Sequence, residues 1–151
     1  MELVEMLTAR KDAVLSEAAG LLGRAHLTHY DSAGPATSRQ RLEQLFGLVL
    51  ECLRDRTLGP VCEFGERVAK ERFEAGFDIG EVQTAFNVLE EAIWQLVLVD
   101  VAPAELSEAA GLVGTVLGAG KDALARTWVS LAAERHVPSL DLAALFEGSR
   151  G

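Results

Sequence analysis

The sequence is poor in cysteine, in basic residues and in long apolar runs, and each shortage excludes a class of protein. Its only two cysteines, Cys52 and Cys62, have the spacing of neither a zinc finger nor a redox motif. Both lie within apolar helical patterns, so we expect two reduced, buried thiols. The chain has 14 Lys and Arg against 23 Asp and Glu, a net charge of -9. Nucleic acid is therefore a poor candidate partner, because its recognition needs concentrated positive charge.

Membrane and export signals are also lacking. Apolar runs such as "LVLV" at residues 96–99 are far short of the roughly 20 residues that span a bilayer. The amino terminus "MELVEMLTARKD" does not have the basic start and apolar segment of a signal peptide. We expect a cytoplasmic protein that binds neither membranes nor nucleic acid.

Catalytic motifs are absent as well. The sequence has no nucleophile elbow and no zinc-protease motif, and Glu90 and Glu91 are adjacent, which on a helix points them apart. The segment "HLTH" makes His26 and His29 candidates for metal or haem ligation. The alternative is a pair of exposed histidines at a helix end, favourably placed against the helix dipole. We favour the alternative and expect no catalytic residues, no metal, no cofactor and no enzymatic activity.

The sequence does contain strong helical periodicity, since every long segment repeats near 3.6 residues and none alternates like a strand. This predicts an all-α, single-domain bundle of five main helices over residues 1–136, and a tail over 137–151 with a short helix. A capping box of Thr37 and Gln40 is expected to start the second helix after a loop. Gly59 is expected to end that helix in a left-handed conformation. The five helices are predicted at about 3–25, 37–58, 60–75, 79–99 and 103–135.

The stretch "GFDIGE" is predicted to be a structural joint between the third and fourth helices. Gly76 falls where one helix must stop, and Asp78 with Glu81 forms a second capping box where the next must start. Phe77 and Val82 can pack together as a hydrophobic staple. A phosphate-binding glycine loop is less favoured, because no strand precedes it.

Two features suggest a contact surface. A second stripe on the fourth helix mixes amides, a carboxylate and an indole: Gln83, Asn87, Glu90 and Trp94. Such a stripe suits either a partly exposed side or an interface. The fifth helix contains Gly111, Gly114, Gly118 and Gly120, which predict a close helix crossing near the first two and a bend near Gly118. Together they predict a homodimer through one of these helices.

The order of these features resembles the N-terminal domain family of the RsbT co-antagonist proteins, the RsbRD N-terminal family. The resemblance covers about Leu7 to Ala133 through "LTHYDSAGPATSRQRLEQLFGLVLECL", "RVAKERFEAGFDIGEVQTAFNVLEEAIW" and a Leu-rich last helix. It is most specific at Arg72, Phe73, Gly76, Phe77 and residues 81–94.

This resemblance implies a bacterial helical signalling module, usually fused to a STAS, histidine kinase or transcriptional output domain, that relays a stress-response or two-component signal and tends to dimerise. It supplies no catalytic residues. The alternative function is a small-molecule or haem sensor with a ligand cavity between helices, because helical domains of this signalling group resemble globins in places.

Overall fold

The computed structural model describes residues 2–136, and all regular structure in that part of the chain is helical. The predicted all-α class is confirmed. The predicted C-terminal helix within 137–151 lies outside the described residues. The seven helices of the described chain are α1 (Leu3–Ala9), α2 (Lys11–Arg24), α3 (Thr28–Ala33), α4 (Pro35–Asp55), α5 (Gly59–Glu74), α6 (Ile79–Asp100) and α7 (Pro103–His136).

The long helices surround one hydrophobic core, with α5 and α7 in the most extensive contact. These two helices run parallel, because Cys62 lies beside Ala119 near the start of α5 and Phe73 packs against Trp128 near its end. Helix α6 connects them along the chain and packs against α7, while α2 packs against α6 and α4. Cys52 and Cys62 are both free thiols, and only Cys52 is fully buried.

The predicted first helix was wrong, since the chain breaks it at Arg10 into α1 and α2. Arg10 leaves helical geometry at φ -106° and ψ 17°. The break lets the two segments pack differently: α1 contacts α4, whereas α2 contacts both α4 and α6. Met6 and Leu7 are thereby buried on α1, and Val14 and Leu15 on α2.

The predicted loop before the second helix was also wrong. It contains the short helix α3, which buries Tyr30. Helix α4 then begins at Pro35, after Gly34 at φ 91° and ψ 162°, so Thr37 lies inside the first turn and caps nothing. Proline suits the first turn because its missing N–H would have no partner there.

At the end of α4 the residue in the left-handed conformation is not the predicted one. Arg56, not Gly59, takes the left-handed conformation, at φ 55° and ψ 44°. Gly59 instead begins α5, and Pro60 follows in the first turn as predicted.

Within residues 2–136 no helix makes the crossing predicted near Gly111 and Gly114, because a Cβ atom at either position would meet none of these residues within 4 Å. The close crossing is between Gly120 of α7 and Gly65 of α5. A Cβ at Gly65 would lie 2.5 Å from the Gly120 carbonyl oxygen. Helix α7 continues through Gly118 and Gly120 without interruption. Gly120 lies against another helix, whereas Gly111, Gly114 and Gly118 have no described residue within 4 Å of their Cβ positions.

Candidate functional site

The turn between α5 and α6 fixes the position of Phe77. Gly76, at φ 83°, ends α5 in a Schellman motif: the Gly76 N–H donates to the Phe73 carbonyl, and the Phe77 N–H donates to the Arg72 carbonyl. Asp78 is the N-cap of α6, and its carboxylate accepts from the Gly80 N–H at 3.1 Å. With both helix ends satisfied, the intervening Phe77 is placed against α3.

Glu81 serves the neighbouring helix α3. Its carboxylate accepts from the His29 backbone N–H at 3.1 Å, and the His29 Nδ1 lies 2.9 Å from Glu81 Oε1. The Asp78 side chain accepts from the Gly80 N–H and not from the Glu81 N–H expected of a reciprocal capping box. The Glu81 carboxylate in addition ties α6 to the start of α3. Val82, the fourth residue of α6, is buried in the core.

The two candidate histidines have different environments, and the prediction of two exposed histidines was wrong for His29. His29 is only 35% exposed and stacks on Phe77, with ring centroids 4.3 Å apart. His26 is 83% exposed and has a left-handed φ of 51°. The imidazoles are therefore not a matched ligand pair, and among the described residues no group of three or more metal-binding side chains converges.

The pKa of the Glu81 carboxyl reflects opposing influences. Burial raises it, but the hydrogen bonds from His29 and from the Asp78 backbone lower it, and the net shift is below the ordinary value of 4.5. A lowered folded-state pKa means that the unfolded chain binds protons more readily. The contribution of Glu81 to stability is therefore present above about pH 4.5 and is lost as the pH falls through the folded-state pKa.

Phe77 is also the centre of an arginine–aromatic cluster. Tyr30 meets it edge-on with centroids 5.7 Å apart, and the guanidinium carbons of Arg72 and Arg41 lie 5.5 and 6.0 Å from its ring centroid. Arg41 also lies 5.7 Å from the Tyr30 ring. We call Tyr30, Arg41, Arg72 and Phe77 the arginine cluster.

Burial perturbs two groups of the arginine cluster. It raises the pKa of the Tyr30 hydroxyl, against the opposing influence of the two guanidinium charges. Burial, followed by the adjacent Arg72 charge, lowers the pKa of Arg41. Sequence patterns missed Arg41 and Tyr30, because arginine in an amphipathic helix usually has a solvated head group and Tyr30 lies in a segment predicted as loop.

The predicted interface stripe on α6 is partly engaged by the chain itself. Lys121 of α7 donates to Asn87 Oδ1 at 3.1 Å and pairs with Glu90 Oε2 at 3.2 Å. Gln83 and Trp94 are half-buried, and Asn87 remains exposed. Glu90 therefore serves a contact between α6 and α7.

Helical geometry places Trp94 level with Gly114. Trp94 lies about two turns after Asn87, and Gly114 about two turns before Lys121, on antiparallel helices whose Asn87 and Lys121 side chains touch. One turn further, Leu98 is 58% exposed and Gly111 is open. We call the surface of Asn87, Trp94, Leu98, Gly111 and Gly114 the open face.

A cavity between α4 and α7 is a poor match for haem. Its volume is about 210 Å³, below the roughly 300 Å³ at which ligand pockets begin. No histidine is among its lining residues in the described chain, which are Cys52, Leu53, Arg56, Thr57, Leu58, Leu112, Thr115 and Val116.

Comparison with known proteins identifies one family. The family described as the RsbT co-antagonist protein rsbRD N-terminal domain matches residues 12–137, close to the predicted range. A search of curated proteins finds no match. None of the described helices is long and apolar enough to cross a membrane.

Proposed function

The chain belongs to the RsbT co-antagonist RsbRD N-terminal domain family, and from that membership we propose a non-enzymatic regulatory module that acts as a homodimer and binds protein partners in bacterial stress signalling. The family supplies the signalling role. The open face is the observation that supports self-association. A cytoplasmic location is part of the proposal, since such partners act there.

The open face has properties suited to a second copy of the chain. Trp94 provides a half-buried indole, and Leu98 and Val99 are 58% and 80% exposed. Gly111, Gly114 and Gly118 have none of the described residues within 4 Å of their Cβ positions, so a helix backbone can approach α7 closely there. Apolar side chains beside a row of glycines favour close helix packing, and the twofold dimer is the commonest arrangement among soluble oligomers.

The proposal is tested by Gly114→Leu. The Cβ atom of the added side chain would meet no atom of residues 2–136 within 4 Å, and the side chain would occupy the approach path of a second helix. Sedimentation velocity should show a dimer for the wild type at tens of micromolar and mainly monomer for Gly114→Leu. Gly47→Leu is the matched control, because Gly47 lies in the interior of α4, is exposed, and has no atom of residues 2–136 within 4 Å of its Cβ position.

Two outcomes would contradict the proposal. A wild type that stays monomeric at tens of micromolar would exclude self-association through any surface at that concentration. A Gly114→Leu variant that dimerises as tightly as the wild type would show that the open face is not the dimer interface. Equal loss of dimer in Gly47→Leu would indicate that the effect is not specific to α7.

A further inference from the structure

We propose that the cavity beside Tyr30, Arg41 and Arg72 binds a small planar monoanion of the carboxylate type. The site lies between α3, α4, α5 and α6, away from the open face, and the inference does not depend on the dimer proposed above. Three features of the cavity favour such an anion: its hydrogen-bond donors, its positive charge and its small volume.

Two arginine donors are buried beside this cavity without a partner. Arg41 Nη1 and Arg72 Nε have no hydrogen-bond acceptor among the described residues 2–136. Buried N–H groups are almost always paired in folded proteins, and an unpaired one on a charged group is especially unfavourable. Both side chains line the cavity, so an acceptor placed there could be reached from two helices.

The charge around the cavity is positive. The Arg41 and Arg72 guanidinium groups share the Phe77 ring, and the remaining lining residues are apolar except for Tyr30. Glu71 pairs with Arg72 through Nη1 at 3.3 Å, but its side chain is 55% exposed and leaves Nε unpaired. Glu81 is occupied by His29. Water would satisfy the donors, whereas an anion would also relieve the repulsion between the two guanidinium groups.

Size and geometry favour a small planar oxyanion. The cavity volume is about 20 Å³, which accommodates only one or two water-sized atoms. A tetrahedral phosphate would need the surrounding side chains to move apart. Guanidinium N–H groups match the spacing of carboxylate oxygens, so formate, whose two oxygens take the place of two water-sized groups, suits the donors with the least displacement of side chains.

The direct test is formate titration of the wild-type protein, followed by NMR of the arginine Nε–H groups, with sodium chloride replaced by sodium formate at constant ionic strength. We expect a saturable shift of the Arg72 resonance. The melting temperature should rise by about 3 to 6 °C at tenfold excess over the dissociation constant. Arg41→Gln and Arg72→Gln should abolish the formate-dependent rise in melting temperature. Arg126→Gln should retain it, because Arg126 is exposed and pairs with Asp122 on α7.

The wild-type titration needs no variant, so the test does not depend on the stability of either glutamine substitution. Absence of an Arg72 shift, or an equal shift when chloride alone is varied, would overturn the site. Tighter binding of phosphate than formate would overturn the planar class. Binding of a blocked glutamate peptide with no response to formate would show that the carboxylate comes from a protein side chain and would overturn a free anion.

Discussion

Helix α7 meets two different environments, and its glycines show the contrast. Around Gly120 it is covered by its own chain: an added Cβ would lie 2.8 Å from Val61 and 2.9 Å from Phe86. We call this region, with its partner Gly65, the closed crossing. Around Gly111 and Gly114 no part of the chain within residues 2–136 covers the same helix. Glycine thus permits internal packing in one region and leaves room for an outside partner in the other.

Gly65→Ala should produce the largest loss of stability. The added methyl group would lie 2.5 Å from the Gly120 carbonyl oxygen and 3.1 Å from the Leu124 backbone nitrogen, and helix backbones cannot yield as a side chain can. We expect a loss of about 3 kcal/mol in the free energy of unfolding, measured by urea denaturation. Gly47→Ala is the control, and unchanged stability in Gly65→Ala would show that α5 can move away from α7 at little cost.

The closed crossing was only half predictable from sequence. The glycines of α7 indicated a close approach, but periodicity cannot say which of them faces another helix, and Gly65 carried no signal of its own. Gly76 and Asp78 were predictable because helix ends depend on local backbone chemistry. The partner of Glu81 was not, because His29 reaches it through a short helix in a segment whose composition predicts a loop.

Trp94→Ala tests the open face from its aromatic side. A central aromatic in an interface commonly contributes 2 kcal/mol or more, so the dimer dissociation constant should rise roughly thirtyfold. Sedimentation equilibrium over a concentration series measures this directly. Trp128→Ala is the contrasting variant, because Trp128 is 9% exposed and packs on Phe73, so it should lower the melting temperature instead. A dimer unaffected by Trp94→Ala would move the interface away from α6.

Glu81→Gln should have a smaller, pH-dependent effect. At pH 7 we expect a loss of about 1 to 2 kcal/mol, because the neutral amide weakens charge-assisted hydrogen bonds to His29. The difference in free energy of unfolding from the wild type should shrink as the pH falls below about 4.5. Protonation of Glu81 removes the stabilisation that its ionised form provides, and the lowered pKa of Glu81 places that loss below its ordinary value. Urea denaturation at several pH values measures it, with the exposed Glu91→Gln as control. A difference that is constant with pH would contradict the role of the carboxylate charge.

Gly111→Ala should have the smallest effect, and it should have the opposite sign to Gly65→Ala. Alanine is favoured over glycine in a helix by up to about 1 kcal/mol, and the added methyl group would meet none of the described residues within 4 Å. Urea denaturation at a protein concentration below the dimer dissociation constant should therefore show a gain of about 0.5 to 1 kcal/mol. Gly120→Ala makes the same change on the same helix and should destabilise, because Val61 and Phe86 occupy the space. If Gly111→Ala destabilised the monomer as well, the open face would have to be covered within the chain.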